Sequence, residues 1–342
     1  MINFDSSEPD ILYSIKDLVV EYHTRGVVVM AVDHVNLDIH RGEVLGLVGE
    51  SGCGKSTLGK ALMRMIEPPG DIAGGELWFE ETELMSLPER EMRELRGSKI
   101  SMIFQDPMTS LNPVQRIDEH IIEAIKVHEP ETKKSAALER AQALFARLGI
   151  QKRRLNDYPH QLSGGMRQRT MVSLGLALNA ALIIADEATT SLDVIVEAKL
   201  VDQLEEIRRE FGVTILLITH NIALIAQIAD RIAVMYAGRI VEIGSVHDVF
   251  LDPLHPYTRG LLQSVPNIKF DEREELYKMP GEPPSLSNPP GGCRFHPRCP
   301  KVMPICSKIE PQLLENTPGR QVHCWLYQDH PEKHQSTTEV AA

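Results

Sequence analysis

An α/β fold built around a phosphate-binding loop is predicted by three observations. First, the apolar run Val44-Leu45-Gly46-Leu47-Val48 reads as a buried strand and leads into Gly49-Glu50-Ser51-Gly52-Cys53-Gly54-Lys55-Ser56, after which Thr57 to Met63 has helical spacing. Second, Ala181-Leu182-Ile183-Ile184-Ala185 is another buried-strand run, and it ends in two carboxylates, Asp186 and Glu187. Third, Val213 to Ile218 makes a further core strand that ends at Thr219-His220.

The loop sequence has the spacing of a Walker A motif. Its glycines free backbone N–H groups to converge on phosphates, and the following helix favours negative charge at its N-terminus. Gly49, Ser51, Gly52, Cys53, Gly54, Lys55, Ser56 and Thr57 are therefore the candidate ATP-binding residues, with Lys55 reaching the β- and γ-phosphates and Ser56 holding Mg²⁺.

Upstream, residues 11 to 39 alternate apolar and polar positions around a break at Thr24-Arg25-Gly26, which predicts antiparallel strands. Tyr22 closes the first of them, where an aromatic ring could stack on a purine; by itself it reads as an ordinary half-buried strand tyrosine. Downstream, Glu67-Pro68-Pro69-Gly70 breaks the chain, Gly75 to Phe79 reads as a strand and Pro88 to Arg96 as a charged helix. Ile100 to Phe104 is a short strand delivering Gln105 into the turn 106–113, and 117–149 is a mostly helical insertion. Leu162-Ser163-Gly164-Gly165-Met166 is a second anion-nest sequence opening a helix. Asp186 suits a Mg²⁺ ligand acting through water, and Glu187 suits the polarisation of an attacking water. Thr189-Thr190-Ser191-Leu192-Asp193 leads into an amphipathic helix to about Gly212, while His220 taken alone is only a polar strand terminus.

With 342 residues the chain has room for one large core and a smaller appended unit. The expected division is a cassette over 1–265 with a helical part at about 106–178, a Cys-rich extension over 266–328 and a polar, disordered tail over 329–342. No apolar run approaches the roughly 20 residues needed to span a bilayer. The first residues lack the basic and apolar regions of a signal peptide, so the chain is expected to stay in the cytoplasm and meet a membrane only through a partner. A formal net charge of −12 argues against broad nucleic-acid binding.

In this order, Walker A at 49–56, Gln105, the signature at 162–166, Walker B at 181–187, Ser191 to Asp193 and His220 resemble the ATP-binding cassette of ABC transporters. The resemblance spans about residues 11 to 328. It implies a P-loop NTPase fold with an antiparallel β subdomain and a helical signature subdomain, plus a small C-terminal Cys-rich extension. It also implies roles: Tyr22 stacks on adenine, Ser56, Gln105 and Asp186 serve Mg²⁺, Glu187 activates water, His220 contacts the γ-phosphate, and Ser163, Gly164 and Gly165 cover ATP held by a partner cassette. Ala188 departs from the proline the family commonly has there; with Glu187 intact, activity is still expected. Gln105 to Pro113 and His255-Pro256-Tyr257-Thr258 are similar to the dipeptide, oligopeptide and nickel importer class. For that class the expected partners are two multispanning permease subunits, a second ATPase subunit meeting this one head to tail and, indirectly, an extracytoplasmic solute-binding protein. The expected place is the cytoplasmic face of the inner membrane, as a peripheral subunit. Peptide is the expected solute and nickel or another small solute the alternative. A soluble cassette working on nucleic acid, or one that binds ATP without turnover, competes less well.

Cys293, Cys299, Cys306 and Cys324 lie in a stretch rich in proline and glycine that needs a staple. A reducing compartment disfavours disulfides, so a metal centre is expected. The spacings C-x₅-C, C-x₆-C and C-x₁₇-C leave Zn²⁺ and iron–sulfur both open, with His296 and His323 as further nitrogen donors. The family resemblance implies a [4Fe-4S] cluster on the four cysteines. Its role is expected to be structural or regulatory, because nothing in the sequence ties this segment to the phosphate loop.

Overall fold

The computed structural model describes residues 10–24, 26–104, 110–187, 205–206, 208–210, 212–264 and 279–330. Gln105, Ala188, Ser191 to Asp193 and most of the helix expected after Thr189 lie outside them. In chain order the strands are β1 (Ile11–Thr24), β2 (Val27–His40), β3 (Val44–Val48), β4 (Gly70–Phe79), β5 (Thr82–Glu83), β6 (Ile100–Ile103), β7 (Leu182–Asp186), β8 (Thr214–Ile218), β9 (Arg231–Tyr236), β10 (Arg239–Ser245), β11 (Leu314–Thr317) and β12 (Arg320–Val322). The helices are α1 (Lys55–Leu62), α2 (Glu89–Leu95), α3 (Ile117–His128), α4 (Lys134–Arg147), α5 (Gly164–Leu176), α6 (Ile222–Ile228), α7 (Val246–Leu251) and α8 (Pro256–Gln263).

The long strands β1, β2 and β4 form with β5 a four-stranded sheet ordered β2-β1-β4-β5. This is the expected antiparallel part. Its alternation of buried and exposed positions matches a sheet with one face on a core.

The chain divides into two compact units, one comprising Met1–Lys16, Leu37–Val44 and Glu76–Thr219, the other Asp17–Asn36, Leu45–Gly75 and His220–Ala342. In the first, β6, β7 and β8 run parallel, with Ile103 opposite Ala185 and Asp186 opposite Ile218. All three strands are buried along their whole length, as their mostly apolar sequences predict. The helical insertion divides into α3 and α4 at Glu129-Pro130, because proline cannot continue a helix. Ile117, Ile121, Ile122 and Ile125 of α3 are buried, as are Ala137, Ala141, Leu144 and Phe145 of α4, at the spacing of one helical face. The two helices pack on each other and on α5, which also packs against β6.

In the second unit the strand order is β11-β12-β10-β9-β3. β3 pairs in parallel with β9, and β9 returns antiparallel as β10 through Ala237-Gly238. Both turn residues have positive φ, 47° and 86°, the two-residue reversal that suits the twist of a hairpin. The C-terminal residues continue this sheet: β12 pairs with β10 (Glu242 opposite Val322) and β11 with β12. The described part of the expected extension, from 279 to 328, thus shares one compact unit with the Walker A strand and adds β11 and β12 to its sheet. His330, inside the expected tail, is buried, and its ring meets Trp325 at 5.9 Å.

Candidate nucleotide site

β3 ends at Val48 and the chain turns through the glycines before α1 begins at Lys55. Gly49 has φ 158° and a Cβ there would stand 2.1 Å from the carbonyl oxygen of Met235; Gly54, the residue capping α1, has φ 109° and a Cβ would stand 2.1 Å from that of Ala31. Any side chain at either position would collide with fixed backbone, so these two glycines are a steric requirement of the loop. Lys55 is buried, and its Nζ donates to the carbonyls of Gly49 (2.8 Å) and Glu50 (2.9 Å) and lies 3.7 Å from Cys53 Sγ. The loop therefore wraps its own ammonium group. Burial pushes the Cys53 thiol up, against the opposing pull of the Lys55 charge, so Cys53 packs as a neutral group. Ser56 and Thr57 open α1 and are half-buried, while Ser51 and Gly52 are exposed. Tyr22 ends β1 half-buried, its ring against the backbone of Gly70.

Sequence reasoning missed that Glu50 is held from three sides. Its N–H donates to Tyr257 Oη (2.9 Å), its carbonyl accepts from Lys55, and its carboxylate receives a two-pronged fork from Arg298, at 2.8 and 3.0 Å. Arg298 Nη1 also donates to Tyr236 Oη (3.2 Å). Burial works against the Arg298 charge, but the bonds to Glu50 and Tyr236 outweigh it and hold the guanidinium above its ordinary value. Tyr257 belongs to the His255-Pro256-Tyr257-Thr258 turn, and burial, with the Glu50 charge, holds its phenol well above the usual range. The expectation that nothing ties the cysteine segment to the phosphate loop is thereby overturned. Arg298 adjoins Cys299, and a loop contact made across about 250 positions of sequence leaves no local signal.

In the first unit, Asp186 is buried at the end of β7. Glu187 follows with φ 46°, a left-handed conformation uncommon for a residue with a side chain, and its N–H donates to the Ile218 carbonyl (2.8 Å). Backbone strain of this kind clusters at functional sites. Ser163 caps α5, its hydroxyl accepting from the Met166 N–H (3.4 Å); Gly164 has no atom within 4 Å of where its Cβ would be, so this helix N-terminus has room for an approaching group. In the second unit, His220 is exposed at the end of the β8 connection, just before Asn221, whose side chain caps α6.

Cys293, Cys306 and Cys324 are buried and Cys299 half-buried, all as free thiols. Burial pushes Cys293 and Cys324 up to about 12, with the other three thiols adding to the effect at Cys324. Backbone N–H groups oppose this, from Phe295 and His296 at Cys293, Lys301 at Cys299 and Leu326 at Cys324. The four thiols thus form one neighbourhood. Among the described residues, however, no three His, Cys, Asp or Glu side chains are grouped so as to hold a metal ion.

Comparisons with known proteins fit this geometry. The family described as ABC transporter matches residues 32–190, and the one described as oligopeptide/dipeptide transporter, C-terminal region, matches 241–306. The oligopeptide transport ATP-binding proteins OppD of Bacillus subtilis (strain 168) and Escherichia coli (strain K12) are 44% and 46% identical, covering 94% and 93% of this chain and 90% and 94% of their own. The dipeptide transport ATP-binding protein DppD of Bacillus subtilis (strain 168) is 42% identical over 94% of this chain and 96% of its own. Among solved structures, a dimeric ATP-binding cassette in a post-hydrolysis state with ADP and Pi aligns with a TM-score of 0.63 at 26% identity, over 68% of this chain and 98% of that one. CbiO1 of Clostridium perfringens, part of an ABC transporter complex, aligns with a TM-score of 0.60 at 25% identity, over 71% and 92%. With the phosphate loop, the strand-end carboxylates and the capped signature helix in place, the chain belongs to the ABC transporter ATPases, in the branch of the oligopeptide and dipeptide transport ATP-binding proteins.

Proposed function

We infer that this chain is the ATP-hydrolysing subunit that energises import of peptides through a membrane permease. The observation that carries this reading is the similarity over more than nine-tenths of the chain to oligopeptide and dipeptide transport ATP-binding proteins. Among the described residues no helix is long and apolar enough to cross a membrane, which fits a subunit docked on a permease at the membrane face.

The residues divide the work. Gly49 and Gly54 bring backbone close enough to cradle phosphates, Lys55 places a fixed positive charge beside them, and Tyr22 offers a ring to the base. Ser56, Gln105 and Asp186 would hold Mg²⁺, which supplies charge neutralisation for phosphoryl transfer. Glu187 takes the proton of the attacking water, and His220 meets the γ-phosphate. Ser163, Gly164 and Gly165 present N–H groups to ATP on a second cassette, so hydrolysis requires two ATPase subunits head to tail, and ATP favours their closed arrangement by binding it more tightly. Vesicles carrying the two permease subunits, the partner ATPase and this chain should hydrolyse ATP faster when a peptide-loaded binding protein is added. Stimulation by nickel and not by peptide would move the assignment to the alternative solute.

The four C-terminal thiols are assigned to a [4Fe-4S] cluster. Four thiols that share a neighbourhood support this reading together with the family resemblance, since each cysteine of such a cluster would hold one iron. Cations would relieve the mutual repulsion of the thiolates, and backbone N–H groups already face three of the sulfurs. Protein purified without oxygen should be brown and carry about four irons per chain; a colourless preparation with one tightly held zinc would replace the cluster with a zinc site.

A further inference from the structure

The stretch from Cys293 to Cys299 reaches the phosphate loop directly through Arg298 and indirectly through Arg294 and Phe295. Arg294 donates to the carbonyl of Ala237 in the β9–β10 turn and to Asp33, and that turn's Gly238 N–H donates to the carbonyl of Cys53 inside the loop (2.8 Å). Phe295 is fully buried against Tyr236 and Tyr257, with ring centroids 5.3 and 5.5 Å away, and Tyr257 accepts the Glu50 N–H. Arg298, its side chain only 6% exposed, forks onto the Glu50 carboxylate while its guanidinium lies 5.8 Å from the centre of the Tyr236 ring. Beside these contacts Pro283 to Leu286 and residues 50–53 line a common cavity of about 270 Å³.

We propose that Arg298 is a positioning residue for nucleotide binding: through its fork on Glu50 it holds the phosphate loop in its binding shape, and so couples the integrity of the C-terminal cysteine segment to ATP affinity. Geometry gives the reason. Glu50 lies between Gly49 and Ser51, and its carbonyl is one of the two that fix the Lys55 ammonium, so releasing its carboxylate loosens the very turn that aims the lysine. A bidentate guanidinium–carboxylate pair fixes orientation as well as distance, which a point charge does not. The proposal rests on ATP binding at the Walker A loop.

The test uses the full-length chain and Mg²⁺ with a non-hydrolysable ATP analogue, with affinity by calorimetry and stability by urea denaturation on the same samples. Arg298→Ala should weaken binding roughly tenfold, as expected for losing one charge-assisted pair. Arg298→Lys should recover only part of this, since it keeps the charge and loses the fork. Glu50→Gln should match Arg298→Ala, and the double variant should be no weaker than the weaker single, because both remove one interaction. If Arg298→Ala does not fold, Arg298→Lys and Glu50→Gln read the same coupling. Lower urea midpoints with unchanged affinity, or losses that multiply in the double variant, would overturn the proposal and leave a purely structural ion pair. Lys55→Ala is the control for the underlying reading: if it binds the analogue normally, the nucleotide site itself is misassigned, whatever Arg298 does.

Discussion

At the scale of single residues, the proposed division gives phosphate holding and water activation to different side chains, so the two tasks should separate by mutation. Lys55 is buried inside its own loop by two carbonyls, so its charge is in place before nucleotide arrives and costs little reorganisation. Lys55→Ala should therefore abolish measurable binding of Mg²⁺-ATP, read by calorimetry. Glu187→Gln removes a base and keeps the shape, so the assembled transporter should bind ATP normally and lose turnover by about 10²-fold or more. Unmodified turnover in Glu187→Gln, measured as phosphate release, would place the base elsewhere.

At the scale of elements, α8 depends on a histidine that must stay neutral. His255 caps the helix, its Nδ1 accepting from the Tyr257 N–H (3.1 Å), while its backbone N–H donates to the fully buried Glu242 on β10. Burial, aided by the positive charge His323 would carry, pushes its pKa from the ordinary 6.5 down to about 3. The unfolded chain therefore binds a proton between those values that the native chain does not, and stability falls as pH falls through that window. The contribution is absent above about pH 6.5 and reaches at most about 1.4 kcal/mol per pH unit below it. His255→Asn keeps a capping acceptor and removes the titration, so its urea midpoint should change less than that of the parent between pH 7 and pH 5.5. Equal changes in the two proteins would show that His255 does not titrate in this way. Arg320 of β12 also reaches Glu242 (3.1 Å), so the same buried carboxylate pins both α8 and the last strand.

At the scale of the whole molecule, a single chain carries one phosphate loop and one signature helix, and in the proposed head-to-tail arrangement each would serve a different ATP. On that reading a lone subunit lacks half of every site. The isolated chain should sediment as a monomer without nucleotide and turn ATP over slowly, with activity rising when the partner ATPase and permease are added. A stable homodimer with full turnover and no partner would contradict that picture.

The sequence by itself determined the family of the chain and most of the local frame of the candidate site. Glycine spacing at 49–54, the strand-end carboxylates at 186–187 and the cap at Ser163 are short-range patterns, and the steric and hydrogen-bonding demands behind them act between near neighbours in the chain. The apolar runs of β3, β7 and β8 were legible for the same reason, whereas the break at Pro130 was not read, because helical periodicity on both sides of it hid the boundary between α3 and α4. The stretch from 221 to 254 was not: β9, β10, α6 and α7 have apolar runs that suit either state, and only pairing of β9 with β3 settles which. Only the tertiary structure decided that the cysteine-bearing segment belongs to the sheet of the phosphate loop and grips it. Arg298 and Glu50 are ordinary surface-type residues by sequence; their meaning comes from burial and a shared fork created by the folding of distant segments onto one sheet.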